Sequence, residues 1–127
     1  KFYIFVGILV LITLSHALRQ QAVAVKGKFT CGGKPLTDTR VKLWEEDSGP
    51  DPDDLLDQGY TNANGEFSLS GSEKELTDID PILKVYHNCE KSVLKPGYRK
   101  VKFSIPHKYI TNGHIAKQVF DLGTVNL

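Results

Sequence analysis

The sequence has almost no net charge and few of the residues that common chemistry requires. Its 127 residues include two cysteines, one tryptophan, and 16 basic against 15 acidic side chains. A neutral chain produces no overall field that attracts nucleic acid, so we expect no nucleic-acid partner. No asparagine lies in an Asn-x-Ser/Thr pattern, so we expect no N-glycosylation.

Long hydrophobic runs are missing except over residues 2–14. This run follows Lys1, and the next residues, Ser15-His16-Ala17, place small side chains at the −3 and −1 positions of a cleavage site. The pattern predicts a cleaved secretory signal peptide over residues 1–17, because the run is short for a bilayer about 30 Å thick. We therefore expect a secreted, extracellular protein with one domain over residues 18–127 and no transmembrane segment after cleavage.

Short segments of alternating polarity follow, separated by turn residues. They cover residues 23–31, 40–46, 58–71, 82–89, 98–106 and 117–127. Asn64-Gly65 predicts a hairpin inside the third segment, because this dipeptide readily takes positive φ. Residues 71–81 are the one candidate for a helical turn, with Ser72 as its cap. Residues 18–22 are expected to be a frayed start. About seven short strands and no long helix predict an all-β antiparallel sandwich.

Charge is segregated along the chain although its sum is small. Basic residues concentrate in residues 84–108, where Lys84, Lys100 and Lys102 are expected to point outward from neighbouring strands. Together with Arg99 they form a candidate surface for an anionic ligand or partner. The alternative is that outward lysines only protect a sheet edge from association.

Trp44 is a candidate interaction anchor. It is out of phase with the inward residues Val41 and Leu43, so alternation places it on the outer face of its strand. An exposed tryptophan often anchors an interface. The alternative is a tryptophan covered by a loop.

The acidic segment 45–57 and the histidines raise the question of a metal. The carboxylates of Asp47, Asp51, Asp53, Asp54 and Asp57 are possible calcium ligands, but their spacing is not that of an EF-hand. Pro50 and Pro52 hold the segment extended, which favours a solvated loop. His87, His107 and His114 match no zinc spacing. We therefore expect no metal and no cofactor.

His87 and Cys89 share one strand face and are possible partners as base and nucleophile. No oxyanion-forming turn or orienting acid lies near them in the sequence, so a histidine bonded to backbone is the favoured interpretation. An even number of cysteines in a secreted domain favours a disulfide instead of catalysis or metal binding.

Several segments resemble the nematode transthyretin-like family. They are VKGKFTCGGKPL, RVKLWEED, DDLLDQGYTNANGEFSLSGSEKELTDIDPILKVYHNC, RKVKFSIPHKYIT and FDLGTVNL. The resemblance implies a secreted, seven- to eight-stranded sandwich of two sheets with at most one short helical turn. In that topology Cys31 and Cys89 lie at the same pole, which implies a Cys31–Cys89 disulfide. Many members have a third cysteine about where this chain has Gly97.

The resemblance also bears on function. Hydroxyisourate hydrolases share the related fold, but their pattern needs a histidine on the first strand and a C-terminal Tyr-Arg-Gly-Ser. This chain has VAVKGKFTC and TVNL there, so we expect no enzyme and no catalytic residues. We expect an extracellular interaction or signalling module whose partner is an extracellular or cell-surface protein. The alternative is a carrier of lipid or an apolar small molecule, and one form of that alternative is a bridge between anionic membrane lipid and a cell-surface receptor. The residues predict no oligomeric state.

Overall fold

A computed structural model describes residues 18–47, 52–89 and 97–127. The expected signal peptide over residues 1–17 lies outside the described residues. Nine strands form in these ranges: β1 Arg19–Cys31, β2 Lys34–Pro35, β3 Arg40–Glu45, β4 Asp54–Tyr60, β5 Glu66–Glu75, β6 Pro81–His87, β7 Arg99–Ser104, β8 Thr111–Asn112 and β9 Phe120–Asn126. Within the described ranges, no helix has the length and apolar character needed to cross a membrane.

The strands form two sheets, as the alternation predicts. In the first sheet β1 is central, with β5 on one side and with β2, β8 and β9 as its other partners. The second sheet has the order β4-β3-β6-β7 and is antiparallel throughout. The pairing of β9 with β1 is parallel, so the sandwich is not purely antiparallel. The all-β sandwich predicted from the sequence is confirmed.

The core lies between the sheets and consists of the inward residues of each strand. Val41 and Leu43 of β3 pair with Val85 and Leu83 of β6, and all four side chains are fully buried. Phe29 of β1 stacks on Phe67 of β5 with ring centroids 5.1 Å apart. Strand alternation therefore predicts the core-facing positions correctly.

The predicted hairpin at Asn64-Gly65 is wrong, although the turn itself forms. Gly65 has φ +79°, and its amide donates to the Asn62 carbonyl over 2.9 Å. The strands on either side belong to different sheets, because β4 pairs with β3 whereas β5 pairs with β1. The turn is therefore a corner that crosses from one sheet to the other.

The helical turn expected in residues 71–81 is also wrong. Strand β5 continues to Glu75, because β1 begins at Arg19 and supplies partners from Arg19↔Glu75 to Lys28↔Glu66. The same pairing orders residues 18–22, of which Gln21 is fully buried. Its side-chain amide donates to the Thr77 carbonyl and accepts from the Ile79 amide. The short helical turn of the structure lies elsewhere, at His107–Tyr109.

One disulfide links the two sheets. Cys31 ends β1 and bonds to Cys89, which follows β6. The bridge closes a separation of 58 residues, and the chain contains no other cysteine. The predicted Cys31–Cys89 pairing is confirmed.

Candidate functional site

The outer surface of the second sheet carries a row of lysines. Lys42 of β3 lies directly opposite Lys84 of β6, and Lys84 lies opposite Lys102 of β7. The next row places Arg40 and Lys100 on either side of Tyr86. We call these five cations the basic face: Arg40, Lys42, Lys84, Lys100 and Lys102.

Aromatic rings offset part of the repulsion within this row. Like charges directly opposite each other on a sheet are destabilising. The Lys84 ammonium lies 4.9 Å from the centre of the Trp44 ring, and the Lys42 ammonium lies 5.4 Å from the centre of the Tyr86 ring. The Arg40 guanidinium lies 4.6 Å over Tyr60. Such contacts are worth about 0.5–1 kcal/mol when exposed and about 2 kcal/mol when desolvated.

Carboxylates do little to neutralise the basic face. The Lys102 ammonium lies 3.9 Å from the Glu46 carboxylate, and both side chains are exposed by more than a third. An exposed ion pair of this kind contributes about 0–1 kcal/mol. The basic face therefore keeps an excess of positive charge available to an anionic partner.

A shallow cavity opens at one end of the basic face. Its volume is about 390 Å³, and its lining residues are Asp38, Arg40, Lys42, Tyr60, Tyr86 and Tyr98. Tyr98 is 72% exposed and Tyr60 is 61% exposed. The cavity thus combines cations with phenol groups that donate and accept hydrogen bonds.

A larger groove of about 680 Å³ lies on the first sheet. Charged residues Lys26, Lys28, Glu66 and Asp121 are among those that line it. The larger groove does not resemble the mostly apolar pocket that a carrier of an apolar small molecule needs, whereas the lining of the cavity on the basic face is mostly apolar.

The structure brings together most, but not all, of the basic residues predicted from the sequence. Lys84, Lys100 and Lys102 share the basic face as expected, although Lys84 is only 9% exposed. Arg99 lies opposite His87, on the other alternation of β7, and so does not point to the same side. Sequence reasoning missed Lys42, whose place in the row depends on the pairing of β3 with β6.

Trp44 lies on the outer side of the sheet, as its phase predicts, but it is half-buried. Lys42 and Lys84 both place their ammonium groups over its ring. Its indole Nε1 is buried and has no hydrogen-bond partner. Trp44 therefore forms the floor of the basic face and is not a projecting anchor.

His87 and Cys89 do not form a catalytic pair. The Cys89 sulfur is in the disulfide, so it offers no thiolate for attack or for metal binding. His87 is buried, and its Nδ1 accepts a hydrogen bond from the Cys89 amide over 3.2 Å. This contact agrees with the interpretation of His87 as a histidine bonded to backbone.

An acidic cluster lies at the end of the sandwich where β3, β4 and β5 meet. Glu45, Asp54 and Glu75 each offer a carboxylate oxygen within 4.8 Å of the others. Burial raises the pKa of Glu45 to about 7, and the nearby carboxylates of Glu75, Asp47, Asp54 and Glu73 add to the rise. Burial is also the largest cause that raises the pKa of Glu73, which shares a hydrogen bond with Asp54.

The acidic segment 45–57 contributes Glu45 and Asp54 to this cluster, but of its aspartates named as possible calcium ligands only Asp54 belongs to it. Asp53 accepts a hydrogen bond from the Asp47 amide, and Asp57 accepts from the Gln58 and Ser70 amides. Asp51 lies outside the described residues. Glu45 and Glu75 were not predicted as a pair, because they come from different sheets and are thirty residues apart in the sequence.

The histidines do not gather around a metal site. His107 lies 3.5 Å from an Asp80 oxygen, and His114 is exposed. In the part of the chain that the structure describes, the three carboxylates at 45, 54 and 75 are the only group with metal-ligand spacing.

Comparison with known proteins assigns the chain to a family. A family model described as "TTR-52: Transthyretin-like family" matches residues 26–106. Transthyretin-like protein 46 of Caenorhabditis elegans is 60% identical over 124 residues, which cover 98% of this chain and 69% of that protein. Transthyretin-like protein 33 of the same organism is 45% identical over 113 residues, which cover 89% of this chain and 78% of that protein. The chain therefore belongs to the transthyretin-like family.

Proposed function

We propose that the chain is a secreted, non-enzymatic binding module that engages an acidic protein outside cells through the basic face. The observation that carries the proposal is the register Lys42–Lys84–Lys102, which places three lysines side by side on the sheet, two of them with their ammonium groups over aromatic rings. Holding like charges in a row costs stability, so a partner that supplies anions there gains affinity as it relieves the repulsion.

The composition of the basic face fits an interface with a protein. Tyrosine, tryptophan and arginine are the residues that most often dominate binding energy at interfaces. The basic face holds Arg40 beside Tyr60 and Tyr86, and exposed Tyr98 extends the same surface. Strand pairing fixes the backbone of Arg40 and Tyr86, so little ordering cost accompanies binding.

Anionic lipid headgroups are the second candidate, because a flat row of lysines also suits a charged membrane surface. Each lysine near such a surface contributes about 1 kcal/mol. The charged lining of the larger groove favours both of these candidates over a carrier that holds an apolar small molecule in that groove.

Charge reversal on the basic face tests the proposal. The variant Lys42→Glu/Lys100→Glu/Lys102→Glu keeps the buried Lys84, which protects folding. Labelled protein is applied to intact Caenorhabditis elegans cells at low and high salt. Three lysines at about 1 kcal/mol each predict binding weaker by at least about 100-fold.

A matched control variant replaces three exposed lysines outside the second sheet by glutamate: Lys34, Lys74 and Lys117. We expect this variant to bind as the unchanged protein does. Equal binding by the two triple variants would refute a role for the basic face.

Two experiments distinguish a protein partner from a lipid partner. The first treats the cells with protease, and the second measures binding to liposomes with and without phosphatidylserine. We expect trypsin treatment of the cells to abolish binding. Binding that survives trypsin and also appears on phosphatidylserine liposomes would assign the surface to lipid instead. Hydroxyisourate should show no turnover, and measurable hydrolysis would contradict the non-enzymatic assignment.

Secretion has its own test. Expressed in a eukaryotic secretory pathway, the protein is expected in the medium with Leu18 as its first residue, as read by mass spectrometry. A cell-retained product that still carries residues 1–17 would contradict cleavage.

A further inference from the structure

The acidic cluster has a feature that simple surface acids lack. Glu45 is only 5% exposed, and its Oε2 is buried with no hydrogen-bond partner among the described residues. Burying a carboxylate oxygen without a partner costs free energy, and native structures rarely leave such an atom without an ion or a donor. The unpartnered oxygen therefore points to a ligand that the described residues do not supply.

The backbone holds the three carboxylates of the cluster in place. Glu45 and Asp54 are directly opposite each other where β3 and β4 pair, and Glu75 ends β5 in the facing sheet. Glu73 lies two positions earlier on the same side of β5 and shares a hydrogen bond with Asp54. The cluster is thus built from three strands of two sheets, with little dependence on loop geometry.

Among the described residues, the cation opposite Glu75 in the strand pairing is bonded to an acid outside the cluster. Arg19 lies opposite Glu75 in the strand pairing, but its guanidinium donates to Asp78 over 2.9 Å. The neighbours that act on Glu45 are all acidic: Glu75, Asp47, Asp54 and Glu73. An outside cation would therefore meet several negative charges at once.

The spacing suits one divalent ion. Two oxygens bound to the same Ca²⁺ at 2.3–2.6 Å lie at most about 4.6–5.2 Å apart. The oxygens of Glu45, Asp54 and Glu75 all lie within 4.8 Å of one another. Ca²⁺ accepts carboxylate oxygens in irregular geometry and completes its shell with water, whereas Mg²⁺ demands near-ideal octahedral ligands.

We propose that Glu45, Asp54 and Glu75 form a calcium-binding site, with Glu73 supporting Asp54. The sequence-based expectation of no metal is revised by this arrangement. The ion would join the two sheets at the end of the sandwich where β3, β4 and β5 meet. This inference is independent of the basic face, which involves none of these residues.

Thermal unfolding with and without calcium tests the site. Dissociation constants of extracellular calcium modules are about 10⁻⁴–10⁻³ M. About 10 mM CaCl₂ should then raise the melting temperature by about 5–15 °C over NaCl at the same ionic strength. The same concentration of MgCl₂ should give a clearly smaller rise, and an equal rise would contradict the assignment to calcium.

Three variants make the test specific. Glu45→Gln keeps the side-chain shape, and Asp54→Asn changes an exposed ligand; both should weaken calcium binding at least about tenfold, because affinity follows ligand charge. Asp121→Asn is the control, because this exposed residue lies far from the cluster. In the strand register Asp121 is opposite Lys26 of β1, whereas Glu75 is opposite Arg19, seven positions earlier on β1. It should keep the full calcium response.

Terbium luminescence gives a readout that does not depend on stability. Trp44, the chain's one tryptophan, precedes Glu45 directly and can sensitise a bound Tb³⁺ ion. We expect emission from the unchanged protein and from D121N, lost on adding excess calcium and missing in E45Q. A calcium response no larger than that of NaCl, or one that E45Q retains in full, would overturn the proposal.

Discussion

Replacing Glu45 by glutamine is expected to stabilise the metal-free domain at alkaline pH and to leave it unchanged at acidic pH. The folded-state pKa of Glu45 is raised from 4.5 to about 7, first by burial and then by the surrounding carboxylates. Between these two values the folded protein holds a proton that the unfolded chain has released. The contribution of Glu45 to stability is therefore complete below about pH 4.5 and is lost as the pH rises through about 7.

The size of the expected change in the free energy of unfolding follows from the pKa shift of Glu45. One pKa unit corresponds to 1.36 kcal/mol, so the rise to about 7 penalises the ionised form by about 3 kcal/mol at most. Glutamine resembles the protonated acid and carries no such penalty. We expect E45Q to exceed the unchanged protein in free energy of unfolding by about 2–3 kcal/mol near pH 8 and by almost nothing near pH 4.5.

Urea unfolding near pH 4.5 and near pH 8, after calcium has been removed with EGTA near pH 8 and the protein transferred to calcium-free buffers, measures this difference. D121N serves again as control, and its free-energy difference from the unchanged protein should not vary with pH. An E45Q difference that is the same at both pH values, or that is negative near pH 8, would refute the burial argument. The calcium assays can fail without affecting this result, because the chelator removes the ion here.

Three further predictions concern the fold. Replacing Cys31 and Cys89 together by serine removes the closure of a 58-residue separation, and urea unfolding should show a loss of about 4 kcal/mol. Phe29→Ala removes a fully buried ring from its stack and should cost about 3–5 kcal/mol in the same assay, whereas a cost under about 1 kcal/mol would contradict its central place. Gly65→Ala should destabilise more than Gly33→Ala: both have positive φ, but a Cβ at Gly65 would lie 2.4 Å from the Phe29 carbonyl oxygen, whereas nothing lies within 4 Å at Gly33. Equal melting temperatures for these two variants would contradict that account.

The alternation of polar and apolar residues within each strand was enough to predict which residues face the core. Val41, Leu43, Leu83 and Val85 alternate with polar residues, and period-two alternation depends only on the strand that carries it. The Asn64-Gly65 turn was likewise predicted, since positive φ is a local property. Its flanking strands were misassigned because a turn does not specify which sheet each strand joins.

Long-range pairing explains what sequence reasoning missed in the candidate sites. Lys42 belongs to the lysine row only because β3 lies beside β6, and nothing in residues 40–46 indicates that neighbour. Glu45 and Glu75 meet only because two sheets pack together at that end. The predicted acidic segment 45–57 contains Glu45 and Asp54, although only Asp54 was named as a possible ligand, and it does not include Glu75.

The parallel pairing of β1 with β9 has a consequence for the order of folding. Val25 lies opposite Phe120, which follows it by 95 residues (120 minus 25). Contacts at such separation form late, because the loop-closure entropy must be paid before they gain energy. During synthesis, β1 can pair with β5 long before β9 leaves the ribosome, so one side of β1 carries unsatisfied backbone groups in the interval. A chaperone or a second nascent chain that pairs with extended backbone would find β1 open during that time.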